Sequence, residues 1–164
     1  MRNRNRPGNP ERRGNSIIPP WFSQDSRRGR DPDDPDESFL LMRIMHVALG
    51  GCLSAPPVPY GLTEDTGGHI AYILGAAAAQ GRRPEIEAVE IVTRRFDDPA
   101  LGARYAEPSE RVSDKVRIGR LSTGNGAYLE KDALEAELPA LTEAFLRHIA
   151  DGPRPDVLHA HFAD

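Results

Sequence analysis

The sequence predicts an α/β domain in which a parallel sheet is flanked by helices. Short runs rich in Val, Ile and Leu alternate with longer runs able to form helices, and one of the longer runs carries an apolar stripe at helical spacing. Strands separated by helices in this way pair in parallel, because a parallel neighbour can be reached only by a crossover connection.

The elements follow in order. MRIMHVALGG opens with a strand, Arg43 to Leu49, that runs into a glycine turn. A polar stretch, TEDTGG, leads into a helix from Gly67 to Gln80. AVEIVTR supplies a second strand (Ala88 to Arg94) and KVRIGRL a third (Lys115 to Leu121). Lys131 to Ile149 reads as helical, with Leu134, Leu138, Leu141, Phe145 and Ile149 forming one apolar stripe. Pro139 interrupts that stretch, so a kink or two abutting helices are expected. DVLHAH (Asp156 to His161) is the last strand. No internal repeat and no run of transmembrane length is present.

Composition narrows the function classes. A chain of 164 residues has room for one compact domain, and with 38% hydrophobic but only 6% aromatic residues its core must be aliphatic. The net charge of -4 gives no general attraction for nucleic acid or anionic membranes, so neither is expected as a partner. A lone Cys52 allows no internal disulfide, in keeping with a reducing, cytoplasmic setting.

Residues 1–41 hold eight Arg against seven Asp plus Glu, several Pro and Gly and few apolar residues, the composition of a disordered tail or of an upstream mis-start before Met42. The domain proper is then 42–164. One alternative starts from LGGC, which looks like a lipoprotein cleavage box and would make this a small exported metal-binding protein. Arg43 and His46 break the apolar run before it, and the acidic DPDDPDE stands where a basic flank belongs.

Two stretches look functional. In an open parallel sheet, ligands gather beyond the carboxyl ends of the strands, where helices begin. Thr66 is suited to cap the first helix, placing Gly67 and Gly68 in its first turn with free N–H groups and no side chain in the way of a phosphate or sugar hydroxyl. The second stretch is HAHFAD at the carboxyl end of the last strand. His159 and His161 share a face there, with Asp164 close behind. Two imidazoles do not make a metal site, and a third ligand from His46, His69, Cys52 or Asp164 would depend on the tertiary fold, so no metal is expected.

The series TEDTGGHIAYIL, VEIVTRR, YAEPSE, GAYLEKDALEAELPAL and PDVLHAHFAD resembles, in order and spacing, the N-terminal half of sucrose-phosphate synthases and their mannosylfructose-phosphate synthase relatives, over about residues 42 to 164. The resemblance implies a retaining glycosyltransferase of the GT-B type whose first Rossmann-like domain is present in part. The second domain, with its basic pair at the diphosphate and its E-x7-E carboxylates, would be missing. It further implies transfer of a hexose from UDP-glucose or GDP-mannose to a sugar phosphate such as fructose 6-phosphate, without cofactor or metal. Asp65, Thr66, Gly67 and Gly68 match the family's D-[ST]-G-G-Q turn, with His69 in place of Gln. Lys131 matches the second lysine of K-Y-[IL]-x-K-[ED], whose first is Ala127 here. His161 and Asp164 match H-[YF]-[AS]-D, which faces the cleft. The substrate-binding set is therefore Gly67, Gly68, His69, Lys131, His161 and Asp164, with no catalytic residue assigned and Arg94 and Arg95 as further candidates for phosphate contact. The departures at His69 and Ala127 leave a non-catalytic binding module or pseudo-enzyme as the alternative reading.

Overall fold

A computed structural model describes residues 41–161. The expected tail, apart from Leu41, and the expected site residue Asp164 lie outside the described residues. A five-stranded sheet has the order β3-β4-β2-β1-β5, with β1 at Met42–Val47, β2 at Ile86–Arg94, β3 at Ser109–Arg111, β4 at Val116–Leu121 and β5 at Val157–Ala160. β1 pairs in parallel with both β2 and β5, and β2 with β4. β3 is antiparallel to β4, so the sheet is not wholly parallel as expected. This edge strand is too short and polar to read as a strand in sequence, since its residues are Ser109, Glu110 and Arg111.

Helix α1 (Gly68–Gly81) buries Ile70, Ile73, Leu74 and Ala77, the i, i+3, i+4, i+7 stripe of one helical face. It covers the face of β1 that carries Ile44 and Ala48, together with Val89 and Ile91 of β2 and Ile118 of β4. Helix α2 (Leu138–Asp151) covers the opposite face, with Leu141 and Ala144 packed against Met45, Val92 and Leu121. The expected long helix from Lys131 is divided. Two short 3-10 turns, Lys131–Ala133 and Glu135–Glu137, precede α2, and Pro139 sits in its first turn, where a missing N–H is harmless. The change of helical pitch rotates the stripe, so Leu138 is 47% exposed while Leu134 and Leu141 stay buried.

YAEPSE acquires a structural role. Tyr105 is buried, stacking on Phe96 at 4.8 Å between ring centroids, and Glu110 is an ion-pair hub. Its carboxylate accepts hydrogen bonds from Arg120 Nη2 and Arg104 Nη2, each at 2.6 Å. Arg104 also donates to the Ala55 carbonyl (3.1 Å) and Arg120 to that of Leu53 (3.2 Å), so the hub fixes the loop that follows β1. Burial opposes ionisation of Glu110, but the bonds from Arg120 and Arg104 outweigh it and hold the carboxyl below its ordinary value.

Cys52 is fully buried and β1 is hydrogen-bonded on both edges, so the cleavage before Cys52 that the lipoprotein alternative requires would remove the strand that joins β2 to β5. Among the described residues no helix is long and apolar enough to cross a membrane.

Replacing Glu110 with Ala leaves the Arg120 guanidinium buried without its partner, and a loss of about 3–5 kcal/mol is expected in denaturant unfolding. The Glu110→Gln variant isolates the ionic part. Because the folded pKa is depressed, the gap between wild type and Glu110→Gln is full above the ordinary carboxylate value of about 4.3 and closes as the pH falls through the lower folded value. A gap independent of pH between about 6 and 3 would count against the ion pair.

Candidate functional site

From β1 the chain proceeds through β2 to β4 on one side of the sheet and returns to place β5 on the other. The carboxyl ends of β1 and β5 therefore flank the point where strand order reverses, the position at which open α/β sheets bind ligands. Three sequence-selected segments meet around it: the turn before α1, the segment 127–132 and the end of β5.

The turn is held from within and from outside. Thr66 is buried and does not cap α1; Gly67 is the N-cap and Gly68 the first helical residue. The Thr66 hydroxyl instead accepts the Cys52 N–H (3.0 Å) and meets the Thr63 hydroxyl (2.7 Å), tying the turn to the glycine corner after β1. Two bonds reach across to the segment 127–132: the Thr63 hydroxyl meets the Tyr128 hydroxyl at 2.9 Å, and the Lys131 N–H donates to Asp65 Oδ2 at 2.8 Å. Burial, outweighing the Thr63 hydrogen bond, pushes the Tyr128 hydroxyl up to about 12, so it remains protonated and can serve as the donor. Gly67, Gly68 and Lys131 are thus brought together at one rim, where an open depression is lined by Tyr60, Thr63, Glu64, Thr66, Gly67 and Gly68.

A Cβ on Gly67 or Gly68 would meet no atom within 4 Å, so both face open space. The glycine with a steric obligation is Gly51, at φ +77, where a Cβ would lie 2.2 Å from the Asp65 carbonyl oxygen. Gly51 carries no marker of this role in sequence, because its neighbour across the turn is 14 residues away. The rim is acidic. Desolvation and the hydrogen bond and charge of Asp65, with Glu64 and Asp132 nearby, raise the Glu130 carboxyl above its ordinary value.

The candidate phosphate contacts after β2 are placed differently from expectation. Arg94 is 2% exposed and donates to the Ala127 carbonyl at 2.5 Å, with its guanidinium 5.7 Å from the centre of the Phe96 ring. It supports the 127–132 segment from below and does not face the depression. Arg95 is exposed and donates to the Ala106 carbonyl.

At the end of β5, His159 lies in register with His46 on β1, and His161 follows with its N–H bonded to the Val47 carbonyl at 2.9 Å. Alternation along both strands puts all three imidazoles on the α1 face. His46 Nδ1 is 2.8 Å from His161 Nε2, and His46 Nε2 is 2.7 Å from Gln80 Oε1 of α1. Of the four candidates for a third group beside HAH, His46 is the one that the pairing of β1 with β5 brings in. Burial and the imidazoles of His159, His46 and His69 press His161 down to about 4, so it is neutral near pH 7. Burial and His159 likewise lower His46, against the opposing bond to Gln80. His69, at the start of α1, is near enough to act electrostatically on His161 and so joins the turn to the histidine cluster.

A second hollow at the opposite, amino-end edge of the strands runs past Arg43, Glu87, Lys115 and Arg117. It contains none of the residues selected from sequence, and Arg43 there is paired with Glu87.

No protein-family model matches the chain. Relatives do. Sucrose-phosphate synthase 4 of Arabidopsis thaliana is 25% identical over 153 residues, and the sucrose-phosphate synthase of Zea mays is 27% identical over 158, each alignment covering 80% of this chain. Among solved structures, sucrose-phosphate synthase from Thermosynechococcus elongatus superposes with a TM-score of 0.54 at 25% identity, over 73% of this chain and 27% of that one. Over most of its length this chain is similar to sucrose-phosphate synthases. The chain spans 15% of the length of either plant enzyme. Its α/β architecture, a mainly parallel sheet with helices on both faces, is that of the cyanobacterial neighbour over the shared region.

Gly51→Ala forces a Cβ into the left-handed region and against Asp65, so a loss of at least about 2 kcal/mol in denaturant unfolding is expected. Gly68→Ala, with space around it and a better helix former in the first turn, is expected to be neutral or to stabilise by up to about 1 kcal/mol. Equal effects of the two substitutions would mean that the Gly51 corner is not the constrained one.

Proposed function

We propose that this chain forms the N-terminal, acceptor-side part of a retaining glycosyltransferase that moves a hexose from a nucleoside diphosphate sugar, UDP-glucose or GDP-mannose, to a sugar phosphate such as fructose 6-phosphate. The reading rests on the convergence of the TGG turn with the Tyr128–Lys131 segment through the Thr63–Tyr128 and Asp65–Lys131 bonds, at the reversal point of the sheet. Similarity to sucrose-phosphate synthases supplies the substrate classes. The rest of the cleft, including most donor contacts, belongs in this reading to a second Rossmann-like domain, and the enzyme works in the cytoplasm.

The residues divide the work by chemistry. The opening of α1 offers backbone N–H groups and the positive end of the helix dipole to a phosphate, and the glycines let it approach closely. Lys131 adds a positive charge within a rim otherwise acidic at Glu64, Asp65, Glu130 and Asp132. Those carboxylates suit the hydroxyl donors of a sugar ring and disfavour an anion placed away from Lys131 and the helix end. His69 and His161 lie beside the turn, where ring nitrogens can meet sugar hydroxyls, and Asp164 extends the same motif. Transfer then depends on holding the acceptor hydroxyl near the anomeric carbon and stabilising the departing diphosphate.

In the complete protein that carries this domain, Gly68→Val is expected to lower kcat/KM for sugar-phosphate formation by about a hundredfold or more, because the branched side chain fills the approach to the helix end. Thermal unfolding should be nearly unchanged, since nothing lies within 4 Å of the new Cβ. Assays with UDP-glucose and GDP-mannose in parallel identify the donor, and undiminished turnover in the variant would remove this turn from the cleft.

A further inference from the structure

We infer that His46, His159 and His161 form a binding site for a divalent transition-metal ion of the zinc class, which clips the edge strand β5 to the central strand β1. This goes beyond the sugar-transfer reading: with an ion bound, the His161 Nε2 serves the metal and only its Nδ1–H is left for a sugar hydroxyl. One ring nitrogen from each histidine can be chosen so that all three lie within 4.8 Å of one another. Three imidazoles on a tetrahedral ion, at about 2.0–2.1 Å from the metal, place their nitrogens roughly 3.3 Å apart, so small side-chain rotations close the site.

The surroundings favour a metal beyond mere proximity. His46 is fully buried on a strand paired along both edges, and its Nε2–H donates to Gln80 Oε1. That bond leaves the lone pair on Nδ1, the nitrogen aimed at His161 Nε2 2.8 Å away. A ligating histidine held by an outer acceptor through its other nitrogen is the usual arrangement around metals. Without metal, His161 Nε2–H donates to His46 Nδ1. On binding, the His161 proton moves to Nδ1 and its Nε2 lone pair turns to the ion. The cluster is further packed by ring contacts of 4.2 Å between His159 and His161 and 5.1 Å between His46 and His161.

The ligand chemistry selects the ion. Three imidazole nitrogens, with no carboxylate among the described ligands, suit zinc, copper, nickel or cobalt and are poorly suited to magnesium or calcium, which take oxygen ligands. His159 is exposed, so an ion can reach the cluster from solvent. Two of the three ligands come from the end of β5, a four-residue edge strand whose side chains are all exposed. An ion there would add a cross-link where the sheet has its least burial.

The test uses the untagged 164-residue chain. Zn2+ should bind at one equivalent per chain by calorimetry and raise the melting temperature saturably, and Co2+ in its place should give the visible absorption of a tetrahedral nitrogen site. His159→Ala and His161→Ala should each weaken binding by more than the 10–100-fold expected for loss of the outer partner in Gln80→Ala. His148→Gln, on the α2 face, should bind as wild type does. If the chain is unfolded without metal, folding driven by Zn2+ in the wild type and lost in His159→Ala would support the site. A chain that binds no Zn2+ or Co2+ saturably, or that binds equally well in both His159→Ala and His161→Ala, overturns it.

Discussion

Parallel pairing of β1 with a neighbour on each edge is the constraint from which the rest of the domain follows. A parallel strand can be reached only by crossing over the sheet, so α1 and α2 must lie on its two faces, and every strand-to-helix corner opens at the same edge. Because the chain leaves β1 toward β2 and later returns to its other side, the corners after β1 and β5 diverge and leave a crevice between them. The TGG turn, the Lys131 segment and the histidines reach one place through that topology, although they are separated by up to 115 positions in the chain, from His46 to His161.

Buried polar groups hold the irregular parts of the domain. Glu110 with Arg120 and Arg104 fastens the loop after β1 to the β3–β4 edge. On the α2 face, Glu90 is 8% exposed and lies 3.1 Å from both Arg117 Nε and His148 Nε2. Gly119 makes room for it, since a Cβ there would come within 2.5 Å of the Glu90 carboxylate. A buried carboxylate is costly unless it is satisfied, and both are satisfied by cations from other elements. Such contacts specify one arrangement of segments that apolar packing alone would leave free to slide.

The parallel elements were legible because their signals are local. Val, Ile and Leu runs located β1, β2, β4 and β5 to within a few residues, and the stripe on α1 is continuous from Ile70 to Ala77. The misses have physical causes. β3 is stabilised by its β4 partner and by the ion pairs of Glu110 with Arg104 and Arg120, not by any apolar strand pattern. Thr66 has the chemistry of a helix cap, yet its hydroxyl is taken by the Cys52 N–H, a partner with no marker in sequence. Arg94 has the charge of a phosphate ligand but is buried under Ala127, where its hydrogen bond stabilises the backbone of a neighbouring segment.

Sequence by itself determined the class of the fold and the strand-helix alternation, because periodicity, turn residues and motif order are properties of contiguous chain. Tertiary structure alone decided which glycine is sterically required, where each arginine points and that His46 meets His159 and His161. Those outcomes depend on strand order and register, and a register becomes defined only when two strands distant in sequence are laid side by side.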